Sequence, residues 1–202
     1  MGRSAWWLPW AVYGPLAALG AALSWFSRGA VLSAPPGPRF SDEGWYAQLL
    51  GLGLALLVTV LTIHSTRWLV ARTRWARTLR DSLRSALIGA TRPRLFVLAT
   101  LSAVAEELFF RAALMPWLGV AVSSLLFGLL HVSARETYLG WMLWASVMGL
   151  VFACLFLGSG SLLAPMLAHA TINYENMQYL CSSAPSGLTL RTGPGDWVRR
   201  KR

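Results

Sequence analysis

Residues 95–118 read LFVLATLSAVAEELFFRAALMPWL and are apolar enough for a membrane helix, yet they carry Glu106, Glu107 and Arg111. A helix needs about 20 mainly apolar residues to cross the hydrocarbon core of a bilayer. An ionisable side chain near the centre of such a helix costs at least about 2.5 kcal/mol. Three of them in one span therefore indicate a polar site inside a membrane protein.

The composition of the whole chain points to the same class. Of the 202 residues, 55% are hydrophobic and 13% are charged, whereas soluble domains carry roughly 25% charged residues. A disordered chain is excluded, and an ordinary soluble domain is disfavoured. Six apolar stretches occur, at 6–27, 45–63, 95–118, 119–134, 139–157 and 161–180. We therefore expect an all-α, polytopic membrane helix bundle of about six transmembrane helices.

The basic residues predict the orientation of the chain. The net charge is +10, and residues 64–94 hold eight arginines against the single acid Asp81. Cytoplasmic loops of membrane proteins are enriched in Lys and Arg. We therefore place this stretch, Arg135 and both termini in the cytoplasm, and Arg28 and Arg39 on the opposite side. This rule explains the positive net charge without a nucleic-acid partner, so we expect the lipid bilayer to be the partner of the basic residues. The expected location is a bacterial inner membrane.

Residues 75–87 have the pattern of an amphipathic helix. Apolar side chains cover one face and arginines the other: Trp75, Leu79, Leu83, Ala86 and Leu87 against Arg74, Arg77, Arg80 and Arg84. This pattern predicts an interfacial helix on the cytoplasmic leaflet, with its arginines toward anionic head groups. We divide the chain into two spans with a basic segment (1–94), a membrane core that carries the intramembrane charges (95–180) and a basic, disordered cytoplasmic tail (181–202).

The three charges of the third span differ in their expected surroundings. Glu107 and Arg111 are four residues apart and can form an ion pair on one helix face. Glu106 points about 100° away from Glu107 and is left without that partner. We interpret the pair as structural and Glu106 as available for chemistry. The alternative is that all three join a buried polar network between helices.

Two later spans carry histidines with a partner one turn away. Phe127 and His131 share a face in the fourth span, and His169 and Asn173 share a face in the sixth. A single histidine in a membrane helix can be only an interhelical hydrogen-bond partner. Together, however, the three spans offer a carboxylate, two imidazoles and an amide.

This set of side chains suits hydrolysis without a protein nucleophile. A glutamate in apolar surroundings can take a proton from water and later return it. Imidazole and amide groups can hold the water and stabilise an oxyanion. The sequence lacks His-Glu-x-x-His, so we expect no metal or other cofactor, although Glu106, His131 and His169 are each legitimate zinc ligands and a metal site stays an alternative.

The motifs resemble a known family. Glu-Glu-x-x-x-Arg at 106–111, Phe-x-x-x-His at 127–131 and His-x-x-x-Asn at 169–173 occur in this order on successive membrane segments. This pattern is similar to that of the CPBP family of intramembrane proteases, also called the Abi or CAAX-protease and bacteriocin-processing family. The resemblance covers roughly residues 95–180.

The resemblance implies a metal-independent glutamic endopeptidase. By position, Glu106 would activate the water with help from His131. His169 and Asn173 would form the oxyanion hole, and Glu107 with Arg111 would orient the site. The expected substrate is a membrane-associated protein or peptide, processed at a CAAX-like end, a bacteriocin leader or a C-terminal sorting signal of the myxosortase type.

Two other functions stay open on the sequence alone. One is a catalytically inactive membrane protein that binds a partner, such as an immunity protein. The other is a transporter or proton-coupled channel, which also uses intramembrane glutamate and histidine. Transporters usually show inverted repeats and broken helices, which the sequence does not display. The oligomeric state has no signal in the sequence.

Overall fold

The computed structural model describes residues 7–131 and 138–182, and within them the chain is helical. The helices are α1 (Leu8–Arg28), α2 (Gly44–Arg72), α3 (Arg74–Leu87), α4 (Arg92–Glu107), a π-helical turn (Leu108–Leu114), α5 (Met115–Leu129), α6 (Tyr138–Ser159) and α7 (Leu163–Ser182). The expected all-α class is confirmed for this part of the chain. Arg135 and most of the tail 181–202 lie outside it.

Within the described part of the chain, three helical segments are long and apolar enough to cross a membrane: Gly44–Arg72, Arg92–Leu129 and Leu139–Ser159. Together with the composition, they identify an integral membrane protein. The second of them is 38 residues long, which is well beyond the roughly 20 residues that one crossing needs.

This long segment reverses direction at Gly119. Its backbone has φ 76° and ψ 168°, a conformation open to glycine and strained for residues with a Cβ. Beyond it the chain returns, so that the Phe127 ring lies 5.1 Å from the Phe110 ring. The segment is therefore a hairpin of two helices, and its reversal falls where the sequence divides the stretches 95–118 and 119–134.

Helix α7 lies against α2, α4 and α6 and brings their polar residues together. It runs antiparallel to α4, because Asn173 contacts Ser102 while His169 contacts Glu107. Helix α2 continues nine residues past the predicted stretch 45–63. Its last turns are stabilised by α7, since the Thr66 hydroxyl donates to Asn176.

At one end of the bundle, the segment 32–40 and the turn 157–162 form what we call the backbone latch. Main-chain hydrogen bonds join Ala34 to Gly160, Phe40 to Gly158 and Leu162 to Leu32 at 2.8–2.9 Å. The Arg39 guanidinium adds bonds to the carbonyls of Leu157 and Pro35. The predicted loop arginine Arg39 is thus a structural residue.

At the opposite end, α3 confirms the helix predicted over 75–87. Its apolar face contacts protein: Ala76 is buried, and the Trp75 ring lies against Gly140 of α6. Two of its arginines are also engaged, since Arg77 donates to the carbonyls of Val70 and Ala71 at the end of α2, and Arg80 pairs with Asp81.

Helix α1 packs closely on the π-helical turn through Gly20. A Cβ placed on Gly20 would lie 2.7 Å from backbone atoms of both Leu108 and Phe109. Backbone atoms cannot rotate away as a side chain can, so α1 would have to move. The register of α1 against the turn therefore depends on this glycine.

We expect Gly20→Ala to destabilise the protein by about 1–3 kcal/mol, as overpacking typically does. The matched control is Gly14→Ala in the same helix, where a Cβ would meet nothing within 4 Å. That change should be neutral or stabilising by up to about 1 kcal/mol. Thermal unfolding of the detergent-solubilised protein measures both, and equal melting temperatures for the two variants would contradict the close packing.

Candidate active site

The four side chains expected to carry the chemistry line one cavity of about 710 Å³. Glu106 lies at the end of α4, His131 follows α5, and His169 and Asn173 lie one turn apart on α7. The other walls are mainly apolar side chains from all seven helices. The cavity thus places a small polar cluster in low-dielectric surroundings.

Both imidazoles face the Glu106 carboxylate. His169 Nε2 lies 3.7 Å and His131 Nε2 lies 3.9 Å from Glu106 Oε2. Both distances exceed that of a direct hydrogen bond. Oε2 itself is buried and makes no hydrogen bond within the described residues. The arrangement therefore leaves this oxygen available to a third group that lies between the three side chains.

Hydrogen bonds to the other ring nitrogens orient both histidines. His131 Nδ1 lies 2.7 Å from the Phe127 carbonyl oxygen, and His169 Nδ1 lies 2.8 Å from Glu107 Oε1. A carbonyl and an ionised carboxylate only accept hydrogen bonds, so each Nδ1 carries the proton. In the neutral imidazoles, Nε2 then presents its lone pair toward Glu106.

Glu107 is the centre of a separate buried network. The ion pair expected with Arg111 is present, with 3.3 Å between Arg111 Nε and Glu107 Oε2, and both residues are at most 1% exposed. Arg111 also donates to the Gly149 carbonyl and lies 4.4 Å from the centre of the Phe127 ring. Glu107 therefore joins the π-helical turn to His169 of α7.

Asn173 is held by Ser102. Its Nδ2 donates to Ser102 Oγ at 3.2 Å, and Ser102 in turn donates to the Ala99 carbonyl at 3.1 Å. An amide nitrogen has two protons, so one remains for another acceptor. Asn173 is thus an oriented hydrogen-bond donor at the edge of the cluster.

The sequence motifs do not include three features of this site. Ser102 lies four residues before Glu106, so helical spacing could have indicated it. Phe152 stacks on His169 with ring centres 4.8 Å apart, but an apolar residue in an apolar helix gives no signal. The π-helical turn Leu108–Leu114 directly follows Glu107, and such turns are rare and frequent at functional sites.

A metal site would need several ligand side chains arranged around one point. Within residues 7–131 and 138–182, no group of three or more His, Cys, Asp and Glu side chains is arranged to hold a metal ion. Glu106, His131 and His169 therefore do not form such a group in this structure.

Comparison with known proteins finds a family match over part of the chain. Residues 89–174 match the family model described as type II CAAX prenyl endopeptidase Rce1-like. The match includes all seven site residues named from the sequence and leaves out α1, α2 and α3. It confirms the resemblance drawn from the motifs. No curated protein and no solved structure matches the chain significantly.

Proposed function

From an Rce1-like domain at residues 89–174, we propose that this chain is an intramembrane endopeptidase that hydrolyses a peptide bond with a water molecule activated by Glu106. The observation that carries the proposal is the convergence of two imidazole Nε2 atoms on the buried Oε2 of Glu106, at 3.7 and 3.9 Å. A water molecule between them can donate one hydrogen bond to the carboxylate and the other to a neutral Nε2, because water has two O–H groups and both of these atoms accept.

In the first step, Glu106 takes a proton from this water while His131 Nε2 accepts its other O–H. The water oxygen attacks the carbonyl carbon of the substrate, and the electrons of the C=O double bond move to the carbonyl oxygen. The resulting tetrahedral intermediate carries one negative charge on that oxygen. General base catalysis of this kind contributes typically about 10²–10⁴-fold to a rate.

In the second step, the intermediate collapses and the C–N bond breaks. Glu106 returns its proton to the leaving nitrogen, so the products are a carboxylic acid and an amine. Asn173 Nδ2 and His169 are the proposed donors to the oxyanion. To donate, His169 needs a proton on Nε2 in addition to the Nδ1 proton that Glu107 accepts.

The shape of the cavity fits an extended peptide. It follows one face of α7 from His169 to Leu180, which is about 16 Å at 1.5 Å per residue. An extended chain of about five residues spans this length. We propose a membrane-associated protein or peptide as substrate, with CAAX-like, bacteriocin-leader and sorting-signal processing as the candidate classes.

The proposed setting is a bacterial inner membrane that the chain crosses with about six helices. In this orientation both termini are cytoplasmic and α3 lies at the cytoplasmic leaflet. The basic stretch 64–94 supports this placement. The antiparallel packing of α4 and α7 is consistent with it, because these helices are the third and sixth crossings and an odd and an even crossing run in opposite directions.

The function is tested by comparing terminal peptides of membrane and secreted proteins from native-host strains. The strains carry the wild-type chain or Glu106→Gln at equal abundance. We expect a small set of cleaved termini to be lost in the variant, and these name the substrates. Identical profiles in every growth phase would contradict the protease and favour a binding or immunity protein.

The binding alternative is disfavoured by the state of Glu106. Burying a carboxylate oxygen without a hydrogen-bond partner costs stability. A protein that only binds a partner gains nothing from that cost, whereas a general base requires a carboxylate that is free to accept a proton.

A further inference from the structure

Helix α1 lies outside the segment that the family model matches, yet it is fixed against the candidate active site. Gly20 lies against the backbone of Leu108 and Phe109. Further along α1, Arg28 donates to the Ala112 carbonyl at 3.0 Å. Later residues of α1 therefore meet later residues of the π-helical turn, so α1 runs parallel to α4 and the turn.

This register directs Tyr13 toward the catalytic cluster. Tyr13 precedes Gly20 by seven residues, which is two turns with a rotation of only about 20°. It therefore points to the same side as Gly20, at the level of α4 two turns before Leu108, near Ser102. The Tyr13 side chain lines the cavity that contains Glu106 and Asn173.

The donors near Glu106 are otherwise largely committed. The Nδ1 protons of His131 and His169 bind the Phe127 carbonyl and Glu107. Ser102 donates to the Ala99 carbonyl, and Asn173 donates one of its two amide protons to Ser102. The Tyr13 hydroxyl is a neutral donor with no hydrogen-bond partner among residues 7–131 and 138–182.

We propose that Tyr13 is a catalytic residue whose hydroxyl donates a hydrogen bond to the oxyanion of the tetrahedral intermediate, beside the free N–H of Asn173. The phenol keeps its proton throughout, so the step changes no covalent bond. Unlike His169, it acts as a donor without a second proton. This assignment rests on the proposed peptidase function and adds to the site a residue from outside the matched domain.

The test is Tyr13→Phe in the full-length, detergent-solubilised protein. The probe is the uncleaved precursor of the most strongly Glu106-dependent product, purified from the Glu106→Gln strain. Loss of one oxyanion donor typically lowers kcat by about 10²–10³-fold. We expect a decrease of that size, with KM within about threefold of wild type and an unchanged melting temperature, because only a hydroxyl is removed.

Tyr174→Phe is the matched control, since it removes the same hydroxyl from a tyrosine of α7 that does not line the cavity and whose ring packs edge-on against Phe96 at 5.8 Å. It should keep kcat within about twofold. A Tyr13→Phe enzyme with near wild-type kcat, or with a changed KM alone, would overturn the assignment and leave the peptidase intact. If the melting temperature of Tyr13→Phe falls, Tyr13→Leu separates a structural role of Tyr13 from a catalytic one. A Tyr13→Leu protein with the wild-type kcat per folded molecule would also overturn the assignment. Full activity of Glu106→Gln would instead refute the proposed function.

Discussion

Glu106→Gln is expected to eliminate peptide cleavage while leaving the protein at least as stable as the wild type. The amide has the size of the carboxylate but cannot take a proton from water, so the rate should fall by about 10²–10⁴-fold. The stability should hold or rise, because Oε2 of Glu106 is buried without a hydrogen-bond partner and a neutral group is less costly there. Residues held for function often lower stability in this way.

Cleavage of the precursor and thermal unfolding in detergent are measured on the same preparations. Glu175→Gln is the control, since it makes the same chemical change on α7 at an exposed ion pair, 4.0 Å from Arg67. Both of its values should stay near those of the wild type. A Glu106→Gln protein with a much lower melting temperature than the wild type would show that Glu106 is structural.

Glu107→Ala is expected to have the opposite profile, with a large loss of folded protein. It removes the partner of Arg111, which is 1% exposed, and the acceptor of the His169 Nδ1 proton. Breaking one side of a buried ion pair typically costs about 3–5 kcal/mol. For a chain of this size, the melting temperature should fall on the order of 10 °C.

A double variant separates the loss of the pair from the loss of the site. Glu107→Ala with Arg111→Met leaves no buried charge unpaired, so it should regain much of the melting temperature. It should remain poorly active, because His169 is no longer oriented. If Glu107→Ala alone is as stable as Glu106→Gln, the neighbouring glutamates do not have the distinct roles described here.

The sequence predicted the helical class, and the spacing rule anticipated the Glu107–Arg111 ion pair. It did so because both depend on local periodicity: apolar runs of span length indicate helices, and residues four apart share a face. The division at 118–119 also coincides with a structural reversal, which requires the positive φ of Gly119. Each of these features depends on a few consecutive residues.

The remaining features depend on contacts between distant segments. Tyr13 reaches the cavity only because Gly20 fixes α1 against the π-helical turn, and no local pattern marks either residue. The acceptor role of Glu107 toward His169 joins residues 62 positions apart. The apolar face of α3 has the same amphipathic pattern whether it meets lipid or protein, so its contact with α6 could not be derived from periodicity.

The backbone latch has a consequence for how this protein can diverge. Its bonds between 32–40 and 157–162 join main-chain atoms, and main-chain atoms are the same for nearly every amino acid. Mutations in these loops can therefore accumulate without opening that end of the bundle, apart from changes to Arg39, Gly158 or Gly160 or the introduction of proline. Related chains are expected to share this closure in three dimensions even where their loop sequences no longer align.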